Sequence, residues 1–188
     1  LYNMKISSFF TFLFFVSICF SGNSQFAFNY VDSISVIHGG NVLKMPWAGG
    51  LNYIQISDID YDYDGDMDLL VFDRSQNQVK LFERYQEAGV SSYRFDPYGK
   101  DLFPDDMRYR LFAIDYNGDN KKDLFTYGIG GLKVYKHMGD ASNGMSWELA
   151  KELVYSDYWG VELNLYVSST DIPAIVDVDN DGDIDCLL

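Results

Sequence analysis

The stretch Asp58–Leu70, DIDYDYDGDMDLL, places an aspartate at every second position up to Asp68 and then turns apolar. Carboxylates so close together repel one another unless a cation neutralises them. With Asp60 as position 1, carboxylates occupy positions 1, 3, 5 and 9, and Gly65 at position 6 can take a positive φ because it has no Cβ. Such alternating oxygen ligands around a tight turn are typical of a short loop that binds Ca²⁺.

Two further segments align with this stretch. Asp177–Leu188, DVDNDGDIDCLL, keeps every acidic position, whereas Asp115–Phe125, DYNGDNKKDLF, is a degraded copy. In the degraded copy Asn120 replaces the glycine, and the loop can still form because asparagine tolerates left-handed backbone. Fewer carboxylates and two adjacent lysines predict that the second copy is the weakest of three sites.

The pattern predicts up to three Ca²⁺ sites, each with side-chain oxygens at positions 1, 3, 5 and 9 and a backbone carbonyl at position 7. Ca²⁺ is preferred over Mg²⁺ because of the ligand number and the flexibility of the loops. The loops hold 13 of the 28 acidic residues, which largely explains the acidic pI. The predicted side-chain ligands are Asp60, Asp62, Asp64, Asp68, Asp115, Asn117, Asp119, Asp123, Asp177, Asp179, Asp181 and Asp185. The predicted backbone ligands are Asp66, Lys121 and Asp183.

The acidic loops have two other interpretations. An EF-hand or dockerin-like loop requires a bidentate glutamate at position 12 and flanking helices. Position 12 is Val71, Thr126 and Leu188 in the three copies, and the flanks have the character of strands. A merely acidic, solvated turn is the second alternative, and it applies best to the middle copy.

The segments around the loops predict an all-β fold. Each loop is preceded by a short β-prone run and followed, in the first two copies, by strand, turn and strand around the breakers RSQN and GIGG. SYRFDPY and SWELAKELV are candidates for a fourth strand, although the latter is also compatible with a helix. Four antiparallel strands every 50 to 60 residues or so are typical of a β-propeller blade, and about two and a half blades are expected here.

The loop pattern D-x-D-x-D-G-x-x-D, followed by DLLVFDRSQNQVKLF and DLFTYGIGGLKVY, resembles the FG-GAP and VCBS repeats of integrin-like β-propellers. The resemblance extends from about Gly50 to the end of the chain. It implies one Ca²⁺ in each loop, held between the first two strands of a blade. The segments PWAGGLNYIQISDID and NLYVSSTDIPAIVDVDNDGDID are similar to long exported proteins of gliding Gram-negative bacteria, which implies secretion or surface display.

The N-terminal segment is predicted to be a signal peptide spanning residues 1–24, with residues 1–3 preceding the natural start. Lys5 is followed by an apolar run that is too short for a confident membrane span, and Gly22 and Ser24 provide the small residues of a cleavage site. An uncleaved anchor is the alternative. Residues 25–49 are predicted as a lead-in strand region and residues 50–188 as the repeats, truncated at the C-terminus. Cys186 would then be the single cysteine of the mature chain, leaving no internal disulfide.

The charge balance and the scarcity of histidine limit the possible functions. With 28 acidic and 14 basic residues, the chain lacks the clustered cations that nucleic-acid binding requires. His38 and His137 lie in no catalytic motif, so no enzymatic activity is predicted. The three tryptophans are expected to pack between sheets rather than to form a sugar-stacking surface.

These observations predict a calcium-binding, exported β-propeller module for extracellular binding or adhesion, secreted or held at the cell surface. Its partner would be an extracellular protein or glycan, and no stable membrane span is expected after signal cleavage. The alternative is an accessory domain of a secreted polysaccharide-degrading enzyme whose catalytic part lies beyond residue 188.

Overall fold

The computed structural model describes residues 28–188, so the predicted signal peptide lies outside the described residues. Among them the chain forms antiparallel β-strands and one 3₁₀-helix, Gly99–Leu102, with no α-helix. The sheets contain two to four strands and none closes on itself. The predicted all-β, antiparallel class is therefore confirmed. No helix in this described part has the length and apolar character needed to cross a bilayer.

The first four-stranded sheet follows the chain order β3-β4-β5-β6. Its register pairs Ile59 with Asp68 beside the acidic loop, and Phe82 with Phe95 on the far side of the sheet. Strand β4 is almost wholly buried because both of its faces are covered. The strands are β3 (Ile54–Ile59), β4 (Asp68–Asp73), β5 (Gln78–Glu87) and β6 (Val90–Asp96).

The second four-stranded sheet has the same meander order, β7-β8-β9-β10. The ambiguous segment SWELAKELV forms its last strand and not a helix, with a register shift between Leu149 and Lys151. The short connection between β8 and β9 is closed by Gly130, whose φ is +79°. The strands are β7 (Leu111–Ile114), β8 (Asp123–Gly128), β9 (Gly131–His137) and β10 (Trp147–Lys151).

Three two-stranded hairpins complete the described chain. The hairpin β11-β12 was not predicted from the sequence, and its turn places Trp159 at a φ of +56°. The hairpin β13-β14 flanks the third acidic loop, and Cys186 is half-buried within it. The strands are β1 (Ile37–His38), β2 (Asn41–Val42), β11 (Tyr155–Tyr158), β12 (Val161–Asn164), β13 (Ala174–Val176) and β14 (Asp185–Leu187).

Two apolar clusters lie on opposite faces of the second sheet. Leu124 in β8 packs with Leu70 and Leu81 of the first sheet, whereas its neighbour Phe125 packs with Ile175 of the β13-β14 hairpin. Adjacent strand residues point to opposite faces, so β8 contributes to both clusters. The second sheet is therefore sandwiched between the first sheet and the third hairpin.

Polar side chains also join the first strands of successive sheets. Leu111 N donates to Gln55 Oε1 at 3.0 Å, and Ala113 N donates to Ser57 Oγ at 3.2 Å. These contacts hold β7 alongside β3, with the acidic loops that follow both strands at the same end. The tryptophan expectation holds for Trp147, which stacks on Phe103 and His137, but is wrong for Trp159, whose surface is 91% exposed.

Candidate metal centre

All three acidic loops share one backbone conformation. Each connects the first two strands of its sheet or hairpin, and each has positive φ at positions 4 and 6. The predicted left-handed Asn120 is confirmed, with a φ of +65°. The six values are Tyr63 +62°, Gly65 +91°, Gly118 +74°, Asn120 +65°, Asn180 +63° and Gly182 +98°. The second copy has Asn120 in place of glycine at position 6, and its turn is therefore intact.

The aspartate at position 9 anchors each loop to its sheet. Asp68, which is 2% exposed, accepts hydrogen bonds from Arg84 N at 2.7 Å and Tyr61 N at 3.2 Å. Asp123 is fully buried and accepts equivalent bonds from the backbone N–H of His137 on β9 and of Tyr116 in the loop. The turns of the loop leave backbone N–H groups without a carbonyl acceptor. The carboxylates at position 9 accept hydrogen bonds from these groups instead. The anchoring function of position 9 was not predicted from the spacing.

The first loop brings carboxylate oxygens of Asp60, Asp62 and Asp68 within 4.8 Å of one another. Burial, the largest effect, raises the pKa of Asp62 and of Asp68, and neighbouring carboxylates raise both further. Three carboxylates at such a separation, of which Asp68 is buried, favour a divalent cation, since it removes their mutual repulsion. This cluster can hold a metal ion.

Asp60 has one carboxylate oxygen without a hydrogen-bond donor. Its Oδ2 accepts the N–H of Gly65 at 3.1 Å, whereas Oδ1 is buried and contacts no donor among the described residues. An unpaired buried carboxylate oxygen destabilises the folded state by roughly 1–3 kcal/mol or more. The donor set therefore fits a cation bound at Asp60 Oδ1.

The third loop forms a similar cluster from Asp177, Asp179 and Asp185, again within 4.8 Å. Asp185 Oδ2 accepts the N–H of Val178 at 2.9 Å, so position 9 again anchors the loop. Asp177 accepts N–H groups on both oxygens, from Asn180 at 2.6 Å and from Gly182 at 3.1 Å. The third cluster can also hold a metal ion, with more internal pairing than the first.

The second loop satisfies its first carboxylate internally. Asp115 Oδ1 accepts the N–H groups of Asn117, Gly118 and Asp119 at 2.8 to 3.3 Å, and its Oδ2 accepts that of Asn120 at 2.8 Å. Within residues 28–188, only the first and third loops bring three acidic groups close enough to hold an ion.

Lysines occupy the surroundings of the second loop. Lys136 Nζ lies 3.5 Å from Asp119 Oδ2, and Lys121 Nζ donates to the carbonyl of Gly139 at 2.8 Å. Lys122 pairs across the sheets with Asp58, at 3.5 Å, which accounts for the acidic residue that precedes position 1 in the first copy. The positive charge that the second loop needs is thus supplied by the protein.

The remaining predicted ligands lie at the edge of the clusters. Asp64 Oδ1 accepts the N–H of Asp66 at 2.7 Å, and the Asp66 carboxylate lies 3.8 Å from Arg84 Nη1. In the third loop Asp181 Oδ1 accepts the N–H of Asp183 at 3.1 Å. Their function as ligands, including the backbone carbonyls of positions 7, stays a prediction.

Searches with protein-family models, curated proteins and solved structures found no match to this chain.

Proposed function

We propose that this chain is a Ca²⁺-stabilised segment of an exported β-propeller related to FG-GAP and VCBS repeats, and that the protein is an extracellular binding or adhesion module. The observation that carries the metal part is Asp60 Oδ1, a buried carboxylate oxygen without a donor, on a residue whose carboxylate lies within 4.8 Å of those of Asp62 and Asp68. A cation at this point completes the pairing of the first loop.

Ca²⁺ is the proposed ion because all the converging groups are hard oxygen donors. Asp62 and Asp64 are exposed, so the site opens to solvent on one side and can add water ligands. Ca²⁺ accepts six to eight oxygens in irregular geometry, whereas Mg²⁺ requires a near-ideal octahedron. Two sites of this type, in the first and third loops, are proposed, with the second loop the weakest.

The propeller proposal is supported by the order of the sheets. Two four-stranded meanders of identical order are followed by a hairpin that carries the third acidic loop. The first strands β3 and β7 lie side by side, and Arg110 at the start of β7 donates to the carbonyl of Ser168, which precedes β13. Radially arranged first strands with loops at a common end are typical of blades around an axis.

A cation-dependent fold suits an extracellular segment whose described residues form no disulfide. The described residues contain one free cysteine, Cys186, so metal binding is the cross-link available to the loops. Extracellular modules bind Ca²⁺ with dissociation constants of about 10⁻⁴–10⁻³ M, matched to its abundance there.

Calorimetry and thermal unfolding in Ca²⁺, Mg²⁺ and chelator test this proposal. With Ca²⁺ at about 100 times its Kd, each occupied site should raise the Tm by roughly 5–10 °C, because the ion binds only the folded state. Asp60→Asn and Asp177→Asn should each remove one site, whereas the matched Asp115→Asn should leave both. A Tm that is unchanged by Ca²⁺, or an equal response to Mg²⁺, would refute the assignment.

A further inference from the structure

A cleft of about 340 Å³ lies at the end of the sheets opposite the acidic loops. Its walls come from the segments that precede β3, β7 and β13 and from the turn that follows β4. Because neighbouring strands are antiparallel, these segments share one end of the structure while the acidic loops share the other. The lining residues are Tyr53, Arg74, Ser75, Tyr109, Ser169 and Thr170.

Arg74 carries a positive charge in the cleft that no ion pair among the described residues neutralises, although the Asp73 carboxylate accepts hydrogen bonds from Ser75 beside it. Arg74 donates through Nε to the carbonyl of Tyr109 at 2.5 Å and through Nη2 to that of Thr170 at 3.3 Å, and it forms no ion pair within residues 28–188. These bonds hold the guanidinium at the junction of three segments, where Arg74 lines the cleft. In a chain of net charge -14 such a site is an electrostatic exception.

A second guanidinium lies close behind the first. Arg110 is fully buried, and its Nε and Nη1 have no acceptor in the described part of the chain. Its remaining nitrogen donates to the carbonyl of Ser168, next to the cleft residue Ser169. Asp171 is the acidic residue near it, but it is exposed and lies beyond ion-pair distance. Arg110 is buried and feels the charge of Arg74, so the two guanidiniums reinforce each other's attraction for an anion.

Both tyrosines of the cleft have strained backbones. Tyr53 has a φ of +52° and Tyr109 a φ of +60°, a region that bulky side chains rarely adopt. Strain of this kind is concentrated at binding sites, where the surrounding structure holds a side chain in the orientation that function needs. Tyr53 as a residue is 75% exposed, so burial in the core does not explain its positive φ.

We propose that this cleft binds an acidic saccharide, a sugar that carries a carboxylate or a sulfate. Arg74 binds the anionic group in a charge-assisted hydrogen bond, as guanidinium does with planar oxyanions. The exposed side chain of Tyr53 packs against the sugar ring. The hydroxyls of Ser75 and Thr170, which already bond to Asp73 and Asp171, accept hydrogen bonds from ring hydroxyls. The inference rests on the proposed function as an extracellular binding module and assigns its ligand class.

Calorimetric titrations of the Ca²⁺-saturated protein with matched saccharide pairs test the assignment. One pair is a sulfated galacto-oligosaccharide and its desulfated counterpart, and the other is trigalacturonate and its methyl ester. Binding of one or both charged forms, at least tenfold tighter than the neutral form, is expected, and the two pairs distinguish sulfate from carboxylate. Equal binding of charged and neutral forms, binding of hexaglutamate instead, or no binding would overturn the proposal.

Variants separate recognition from folding. Arg74→Gln should weaken binding by about 10- to 100-fold, as expected for loss of one charged hydrogen bond. Arg94→Gln is the matched control, because Arg94 is exposed and pairs with Glu83 on the first sheet. Tyr53→Asn should weaken binding while stability is unchanged or raised, since asparagine tolerates positive φ. Unchanged binding in both Arg74→Gln and Tyr53→Asn would refute the cleft as the site.

The saccharide proposal and the calcium proposal can be refuted independently. The cleft residues lie outside the acidic loops, so a protein that gains stability with Ca²⁺ but binds no acidic saccharide disproves this inference alone. A protein that binds the saccharide but shows no response to Ca²⁺ disproves the metal sites alone.

Discussion

The loops 60–68 and 115–123 have the same length, the same two positive φ positions and the same anchoring aspartate, yet they use their first aspartate differently. In one, Asp60 Oδ1 is buried without a donor; in the other, Asp115 Oδ1 accepts three backbone N–H groups. The first loop can hold a cation, whereas the second is paired by hydrogen bonds and by Lys136 of the chain itself. A shared backbone therefore does not imply a shared ligand.

The largest expected effect is a loss of stability when the anchoring aspartate at position 9, which both loops share, is removed. Asp123→Ala should destabilise the protein by about 2–4 kcal/mol, because it leaves the buried N–H of His137 and the part-buried N–H of Tyr116 without an acceptor. Asp68→Ala should do the same and should also abolish Ca²⁺ binding at its loop. Urea unfolding in chelator measures the first effect, and calorimetry measures the second. A stable Asp123→Ala protein would show that position 9 is not an anchor.

The next-largest effect tests how differently the two loops use their first aspartate. Asp60→Asn should remove stabilisation by Ca²⁺ from the first loop, about 2.7 kcal/mol at 100 times the Kd, and change stability little in chelator. Asp115→Asn should show the opposite: lower stability in chelator and an undiminished response to Ca²⁺. Unfolding of both variants with and without Ca²⁺ checks this. If Asp115→Asn removes more of the Ca²⁺ response than Asp60→Asn, the ranking of the loops is wrong.

Removing a lysine from the second loop and adding a carboxylate to it should increase its affinity for Ca²⁺. Lys136→Gln removes the cation that lies 3.5 Å from Asp119, and Asn117→Asp adds a carboxylate at position 3. Together they should improve Ca²⁺ affinity at this loop by roughly tenfold, since affinity follows ligand charge. Calorimetry should then detect one more site than in the unmodified protein. Lys151→Gln, a change at an exposed lysine outside the loop, is the control.

The smallest effect comes from the carboxylate of Asp106, which pairs with Lys133 outside the three acidic loops. Burial raises the pKa of Asp106, but hydrogen bonds from Lys133 and Tyr135 outweigh it and hold the pKa below its usual value of 3.8. Its contribution to stability is therefore present above about pH 4 and lost as the pH falls through the depressed pKa. Asp106→Asn should flatten acid unfolding below pH 4 in chelator, and an unchanged acid profile would contradict the pairing.

Local features of the fold could be predicted from the sequence because they depend on residues close in the chain. The Asp ladder, the left-handed Asn120 and the strand–turn–strand pattern around RSQN follow from short-range geometry. The segment SWELAKELV was ambiguous, since a short run satisfies either period, and pairing with β9 decided for strand. The β11-β12 hairpin was missed because its turn carries Trp159, a residue that rarely takes positive φ.

The sequence by itself determined which oxygens are available in each loop, because their spacing is written in consecutive residues. Only the tertiary structure decided which of them remain unpaired. Lys136 reaches Asp119 from β9, and Arg84 reaches Asp66 and Asp68 from β5. The cleft around Arg74 likewise joins four distant segments. Hydrogen bonds and charges act between residues that are distant in sequence. Whether a carboxylate is paired therefore depends on neighbours that its own segment does not contain.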